Sequence, residues 1–401
     1  MQKIYDLLII GGQFAGLTFA KEASKLGLRV LVIEKKDDLT KGFGTTGIVI
    51  NSWLKHLDID KKLLYGPVGD VDFYFTKDIL LKIDTDIERF YMTKTDELLR
   101  QLKAEAIQNG AEIIEGHRFE RVIELENLIT IEVTYKKKLK KYRGKFIIGA
   151  DGAHSNVAKQ LGLSVNTRFL NGLEYVIPHC NHIKNNKYIV LFDYNIAPGY
   201  CAWLILDNQD YILGIAGHLG KFHVHDSLIM AKEFFEKKEG IKMNLKNAKL
   251  KVGTIPINGI LDKISNKHAM LIGDAGGYCG PLCAGGIFPA ILSAKFSVPI
   301  VIDYLKNNNI NKKAVEKNLD KINIIENKKE LFLRHVFDRI NDNKELANFG
   351  KFSNNKEVTD IITKFIFEKP HDISLNKLLI KIFKKWSLYD DVVRIFIDLL
   401  D

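Results

Sequence analysis

The sequence predicts an α/β protein in which a dinucleotide-binding fold is assembled from separated stretches of one chain, followed by antiparallel strands and a helical C-terminal region. Three observations carry this. The first 34 residues read as strand, glycine turn, helix, strand. Phe146 to Leu163 reads as strand, Asp-Gly turn, helix. The stretch GDAGGYCGPLCAGGIFPA, from Gly273 to Ala290, sets one carboxylate among six glycines directly after the apolar run Met270, Leu271, Ile272.

Ile4 to Ile10 is apolar except for Tyr5 and Asp6, and it feeds Gly11, Gly12, Gln13, Phe14, Ala15 and Gly16. A helical pattern follows from Leu17 to Leu26, and a strand from Arg29 to Ile33 ends in Glu34, which completes a βαβ unit. In that context the first glycine serves the tight turn and the last lets helix and strand approach closely. The helix N-terminus then turns its free N–H groups toward a pyrophosphate. Glu34 is placed to accept hydrogen bonds from a ribose, which favours a free 2′-hydroxyl, hence FAD or NAD over NADP. Gln13 stands where the motif has its middle glycine. Its side chain can turn away or donate to a phosphate oxygen, so dinucleotide binding is expected to survive with altered detail.

In FIIGADGAHSNVAKQLGL a buried strand ends at Gly149, Asp151 and Gly152 start a turn, and Ser155 is placed to cap the next helix. An Asp-Gly turn is common by itself. Between the βαβ unit and the Gly273 stretch it becomes the middle member of a set.

That set, GGQFAG with Glu34, GADGAHS and GDAGGYCGPLCAGGI, resembles the glutathione-reductase-type FAD enzymes of the p-hydroxybenzoate hydroxylase group. Within the group it is most similar to the geranylgeranyl reductase family, including the archaeal digeranylgeranylglycerophospholipid reductases. The likeness covers roughly the first three quarters of the chain. Aromatic hydroxylases of the group usually carry His after GDA and Asn after the following GxG; here those positions are Gly276 or Gly277, and Ile287. Ala197 to Gly217 is similar to the reductases' Tyr, Trp and distal Gly block along the isoprenoid pocket, with Tyr200 and Trp203 at the matching positions and Ile205 and Leu206 replacing the usual Phe-Pro. Ordinary strand packing is the alternative for that pair.

The resemblance implies an FAD-dependent oxidoreductase that reduces carbon–carbon double bonds of geranylgeranyl chains, by hydride transfer from reduced flavin and protonation of the neighbouring carbon. It places Gly11, Ala15, Gly16, Glu34, Lys35, the Thr45, Thr46 and Gly47 loop, the backbone of Phe119, and Asp151 at FAD contacts. It sets Asp274 at the ribityl or pyrophosphate region, puts the Gly285, Gly286 and Ile287 amides near the flavin pyrimidine edge, and gives Pro281 the task of stiffening the loop over the ring. Tyr200 and Trp203 are the implied substrate contacts. The sequence departs from the family at Thr45, where many reductases hold Cys, and around Thr95, where an Arg is usual and Lys94 or Arg100 would substitute. No residue is assigned as catalytic acid or base.

The expected domains are 1–165 with 253–305 for FAD, 166–252 for substrate, and a helical region over 306–401. A chain of 401 residues, 46% hydrophobic, can bury a large core. Its four cysteines at irregular spacing suggest neither a disulfide framework nor zinc, and an intracellular, reducing setting is expected. Cys279 and Cys283 read as buried small hydrophobes rather than a redox pair, and the histidines show no metal spacing. The apolar run Gly285 to Leu305 is interrupted by Lys295, Pro289 and Pro299 and reads as a buried helix rather than a membrane span.

No export signal is seen at the N-terminus, so the expected location is cytoplasmic, with peripheral membrane contact open. The net charge of +10 is spread along the chain without the aromatic interleaving that nucleic-acid binding would use. The helical pattern of LLIKIFKKWSLYDDVVRIFIDLL from Leu378 could cap a lipid channel or touch a membrane, but packing on its own domain is the preferred reading. Besides an isoprenoid lipid, the implied partner is an electron donor, ferredoxin or a reduced nicotinamide. Two other readings stay open: a flavin monooxygenase or halogenase of a small molecule, and a non-catalytic flavin- or lipid-binding protein.

Overall fold

A computed structural model describes residues 3–42, 44–57, 59–83, 89–125, 128–179, 186–207, 210–307, 315, 330–331, 333–335 and 337–367. Along the chain, β1 (Ile4–Ile10), α1 (Phe14–Lys25), β2 (Val30–Ile33), β3 (Ile48–Ile50), β4 (Leu64–Val68), β5 (Asp70–Phe75), β6 (Ile79–Ile83) and β7 (Phe90–Thr93) precede α2 (Thr95–Gln108). Then come β8 (Glu112–Ile114), β9 (Arg118–Leu125), β10 (Ile129–Tyr135), β11 (Lys138–Gly149) and α3 (Asn156–Gln160). The remainder comprises β12 (Phe169–Pro178), β13 (Lys187–Phe192), β14 (Ala202–Leu206), β15 (Asp210–His218), α4 (Val224–Glu239), β16 (Lys249–Pro256), β17 (Ala269–Leu271) and α5 (Ile287–Asn307). Two further helices are α6 (Asn343–Ser353) and α7 (Lys356–Phe367).

The first sheet runs β8-β2-β1-β11-β10-β9, with β17 also on β11. Strand β1 lies parallel to both β2 and β11 and is buried from Tyr5 onward, which is why it reads as one apolar run rather than an alternation. Ile10 pairs with Ile33 and Gly149, and Gly149 pairs with Leu271. That register brings the carboxyl ends of β1, β2, β11 and β17, and with them all three glycine-bearing turns, to one edge of the sheet. Ligands of open α/β sheets bind at such an edge.

The second sheet has the order β16-β12-β15-β14-β13-β5-β6, and a small third sheet has the order β3-β7-β4. Here the expectation of an antiparallel substrate domain confined to 166–252 needs correction. Strand β13 pairs with β5 in parallel, and both β5 and β6 come from the segment assigned to the FAD domain. The reason is physical: Val71 to Phe75 is buried without interruption, so its residues look like any central strand and carry no mark of a partner more than a hundred positions away.

Helix α5 packs in the same apolar core as α1. It is long and apolar enough to cross a membrane by composition, yet 61% of its apolar window is buried within the protein. Helix α6 docks on the second sheet, where Gly350 meets Phe75 and Phe349 contacts the Phe75 ring at 5.5 Å. Helices α6 and α7 lie within 306–401. The helix expected from Leu378 lies outside the described residues.

Candidate functional site

A cavity of about 790 Å³ opens where the three glycine turns meet the inner face of the second sheet. In the first turn Gly11 has φ +102°, and a Cβ there would stand 2.2 Å from the Ala150 carbonyl oxygen. Only glycine fits. Gly16 plays the close-packing part, since its Cβ would fall 1.9 Å from the Gly11 oxygen. Helix α1 carries no acid in its first turn and no side-chain cap from Gln13, so among the described residues the Ala15 and Gly16 amides have no partner. Glu34 is buried; its two oxygens accept from the Gly12 amide at 2.7 Å and the Lys36 amide at 2.9 Å. Those bonds fix the carboxylate at the cavity wall with lone pairs to spare.

In the second turn Asp151 is occupied by its own helix. It accepts from Ser155 Oγ at 2.6 Å, Asn156 N at 2.7 Å and Val157 N at 3.1 Å, while Ser155 caps Ala158 N at 3.0 Å. The Asn166 side-chain amide then ties two turns together, donating to the Ala153 carbonyl at 3.0 Å and the Asp274 carbonyl at 2.8 Å.

In the third turn Ser293 of α5 accepts from the Gly273 amide at 2.9 Å. The Asp274 carboxyl faces the cavity, and burial pushes its pKa up to about 6. A Cβ on Gly286 would meet nothing nearer than Asp274 Oδ1 at 3.6 Å, so a side chain there would fill the cavity rather than strike the protein.

Lys251, Glu174 and Trp203 of the opposite wall belong to one row of the second sheet. Lys251, Glu174, Gly214, Trp203 and Val190 lie side by side on β16, β12, β15, β14 and β13. Glu174 Oε1 accepts from Lys251 Nζ at 3.1 Å, and Oε2 accepts from Trp203 Nε1 at 3.2 Å and from Thr46 Oγ at 2.5 Å. Lys251 also donates to the Thr45 carbonyl at 2.9 Å. Tyr200 donates its hydroxyl to the Cys283 carbonyl at 2.8 Å, pinning the glycine-rich loop to the sheet. Tyr188 rests edge-on against Phe90 with its ring centroid at 5.3 Å. Burial holds the Tyr188 and Tyr200 phenols protonated.

Of the residues singled out in the sequence, Gly11, Ala15, Glu34, Lys35, Thr45, Thr46, Gly47, Phe119, Asp151, Asp274, Gly285, Gly286 and Ile287 line this cavity, together with Tyr200 and Trp203. Gly16 and Pro281 do not line it, and neither do Lys94 and Arg100. Thr95 packs against Gly47 instead. Cys279 is buried as expected, whereas Cys283 reaches the cavity surface, where desolvation by the surrounding protein, and then the Glu330 carboxylate to which its thiol donates at 3.6 Å, raise its pKa. No group of three or more metal-ligating side chains occurs among the described residues. Glu174, Lys251 and Asn166 escaped the sequence reading. Glu174 left one sign: a charged residue on the inward phase of β12, two places from Gly172, where an apolar residue would ordinarily sit.

Comparison with known proteins agrees with this layout. Residues 5–172 match the family described as an FAD binding domain. Digeranylgeranylglycerophospholipid reductase 3 of Methanosphaera stadtmanae is 26% identical, over 94% of this chain and 97% of its own length. The digeranylgeranylglycerophospholipid reductase of Methanosarcina acetivorans is 25% identical, over 80% of this chain and 81% of its own. A geranylgeranyl bacteriochlorophyll reductase-like protein from Thermoplasma acidophilum superposes with a TM-score of 0.79 at 20% identity, over all of both chains. The flavin-dependent brominase Bmp2 superposes with a TM-score of 0.68 at 15% identity, over 97% of this chain and all of its own. FAD fits the residues present: the unpartnered α1 amides suit its pyrophosphate, Glu34 suits a ribose, and the space above Gly286 suits a flat ring.

Proposed function

We infer that this chain, a member of the geranylgeranyl-reductase-type FAD flavoproteins, reduces carbon–carbon double bonds in the isoprenoid chains of lipids. The observation that carries the reading is the cavity itself. It continues from three glycine turns suited to a dinucleotide to a wall of the second sheet where Leu173, Tyr188, Trp203 and Ile255 stand beside the Lys251–Glu174 pair. FAD, once reduced, would supply the hydride, and the chain's residues would bind, orient and exclude water.

Gly11, the first-turn amides of α1 and Glu34 would hold the adenosine diphosphate half. Asp274, anchored through its own carbonyl by Asn166, would orient the linker to the ring. The Gly286 and Ile287 amides at the start of α5 would favour negative charge on the reduced ring. Trp203, Tyr188 and Tyr200 would flank the isoprenoid and keep water from the reacting carbons, with the Trp203 indole held in one orientation by Glu174.

Two finer points belong to the same reading: a digeranylgeranyl glycerophospholipid is the substrate class that the relatives' names suggest, and the lipid would enter from a membrane surface with electrons delivered by a separate donor. The test is anaerobic. The purified holoprotein is reduced with dithionite and given digeranylgeranylglycerophospholipid in detergent micelles. Reoxidation of the flavin, with a gain of two mass units per double bond in the lipid, is the expected result. Reoxidation only on admitting oxygen, with the lipid mass unchanged, would overturn the reading.

A further inference from the structure

We propose that Lys251, Glu174 and Thr46 form the proton-delivery chain of this site, with the Thr46 hydroxyl as the last donor. The proposal rests on the alkene-reduction reading, in which one carbon receives a hydride and its neighbour a proton. The proton must come from a group at the cavity wall that water can recharge.

Few groups qualify. The Tyr200 hydroxyl donates to the Cys283 carbonyl, a backbone acceptor that cannot return a proton to it. The Tyr188 hydroxyl makes no hydrogen bond to a described residue, so a proton lost from it would leave a desolvated phenolate with no neighbour to restore it. The Cys279 and Cys283 thiols are pushed up by burial, and Cys283 is turned toward Glu330. Asp274 stands beside Gly286, at the end of the cavity suited to the cofactor.

Among the described residues, Lys251, Glu174 and Thr46 form one continuous hydrogen-bonded path along the cavity wall. Lys251, with 14% of its side chain exposed, reaches Glu174 at 3.1 Å, and Glu174, 7% exposed, reaches Thr46 Oγ at 2.5 Å. A second donor on each side keeps the path aligned: Trp203 on Glu174 at 3.2 Å, and Lys251 on the Thr45 carbonyl at 2.9 Å. A largely buried ion pair is costly to build and adds little net stability against a hydrophobic replacement. Its presence at the wall of the cavity is accounted for by a task in the reaction.

The step balances. Lys251 first passes a proton to Glu174, and the Thr46 hydroxyl turns from Glu174 toward the alkene. The Thr46 O–H bond then breaks as a C–H bond forms on the carbon next to the one taking hydride, while Thr46 Oγ takes the proton of the Glu174 carboxyl, and water recharges the Lys251 amine. The two electrons arrive with the hydride, so the alkene is reduced and the cofactor oxidised.

Two substitutions test this. Glu174→Gln keeps the volume and an acceptor for Thr46 and Trp203 but cannot carry the proton, and Thr46→Val removes the last donor at nearly constant shape. Each reduced holoenzyme is mixed anaerobically with digeranylgeranylglycerophospholipid in H2O and in D2O, and FAD and lipid dissociation constants are measured alongside. With FAD and lipid saturating at the measured dissociation constants, both variants are expected to reoxidise roughly 100-fold more slowly or worse, the contribution typical of general acid catalysis. The solvent isotope effect should differ from that of wild type. Reoxidation within about 3-fold of wild type, with its isotope effect unchanged, would overturn the relay, as would a rate loss matched by an equal loss of lipid binding. A wild-type flavin that the lipid never reoxidises would instead overturn the functional reading, and the relay with it.

Discussion

Trp203 donates its indole N–H to Glu174 at 3.2 Å across Gly214, the residue that pairs with both of them in the sheet. The glycine is what makes this possible. A Cβ at position 214 would stand 2.2 Å from the Trp203 ring, so the indole lies flat over bare backbone to reach the carboxylate.

Gly214→Ala should therefore dislodge the indole rather than merely crowd it. Overpacking of this kind costs about 1–3 kcal/mol, and the freed ring should change its environment. Thermal unfolding is expected to show the loss, and tryptophan emission to shift to longer wavelength. Trp203→Phe, which removes the donor but keeps the packing, should cost about 1 kcal/mol. Equal melting temperatures for Gly214→Ala and wild type would contradict the assignment.

Asp274 ties the site to pH. Its pKa stands at about 6 in the folded protein against 3.8 for the free side chain, because burial disfavours the carboxylate. A raised folded pKa means that the stability this group contributes is fully present below about pH 4 and is lost as pH rises through about 6. Two units correspond to about 3 kcal/mol at most, and water in the cavity screens part of it. Asp274→Asn should thus stabilise the FAD-free protein at pH 7, with the advantage vanishing below about pH 4. The same change should weaken FAD binding tenfold or more, as a group that faces the linker would. Chemical denaturation of the FAD-free proteins across pH 4–8 checks the first, and FAD titration the second.

Gly11 and Gly286 should fail in different ways. A side chain at Gly11 meets φ +102° and the Ala150 oxygen at 2.2 Å, so Gly11→Ala is expected to lower the melting temperature as well as the flavin content. Gly286→Val has room within the protein, the nearest atom being 3.6 Å from the new Cβ, and it should fold with a wild-type melting temperature when FAD-free. It should nonetheless be colourless as purified. Full flavin occupancy in Gly286→Val would remove the ring from the space assigned to it.

How much of this was legible in the sequence depends on the range of the interaction. The βαβ unit, the Ser155 cap and the glycine turns are local: a few adjacent residues define each, and the structure places them as the motifs imply. Tyr200 and Trp203 could be found because a family pattern marks them. The Glu174, Lys251 and Thr46 cluster could not be assembled, since its members come from β12, β16 and the loop before β3 and meet only through sheet register. The recruitment of β5 beside β13 is hidden for the same reason: strand pairing is set by partners that periodicity does not name.

Asp151 shows a different limit, and it yields the last prediction. Sequence resemblance puts it at an FAD contact, and it does line the cavity, yet both of its oxygens are taken by donors from the start of α3. Its work is to close the second glycine turn. Asp151→Ala would orphan two backbone amides and the Ser155 hydroxyl near the core, and each buried donor left unsatisfied costs about 1–3 kcal/mol. The loss should far exceed that of Ser155→Ala, which removes a single N-cap bond worth about 1 kcal/mol. Because the carboxylate is spent on the turn, FAD affinity measured well below the melting temperature should stay within about 3-fold of wild type in Asp151→Asn, which keeps one acceptor oxygen and the shape. A hundredfold loss of FAD affinity in that variant, with stability intact, would return Asp151 to the cofactor.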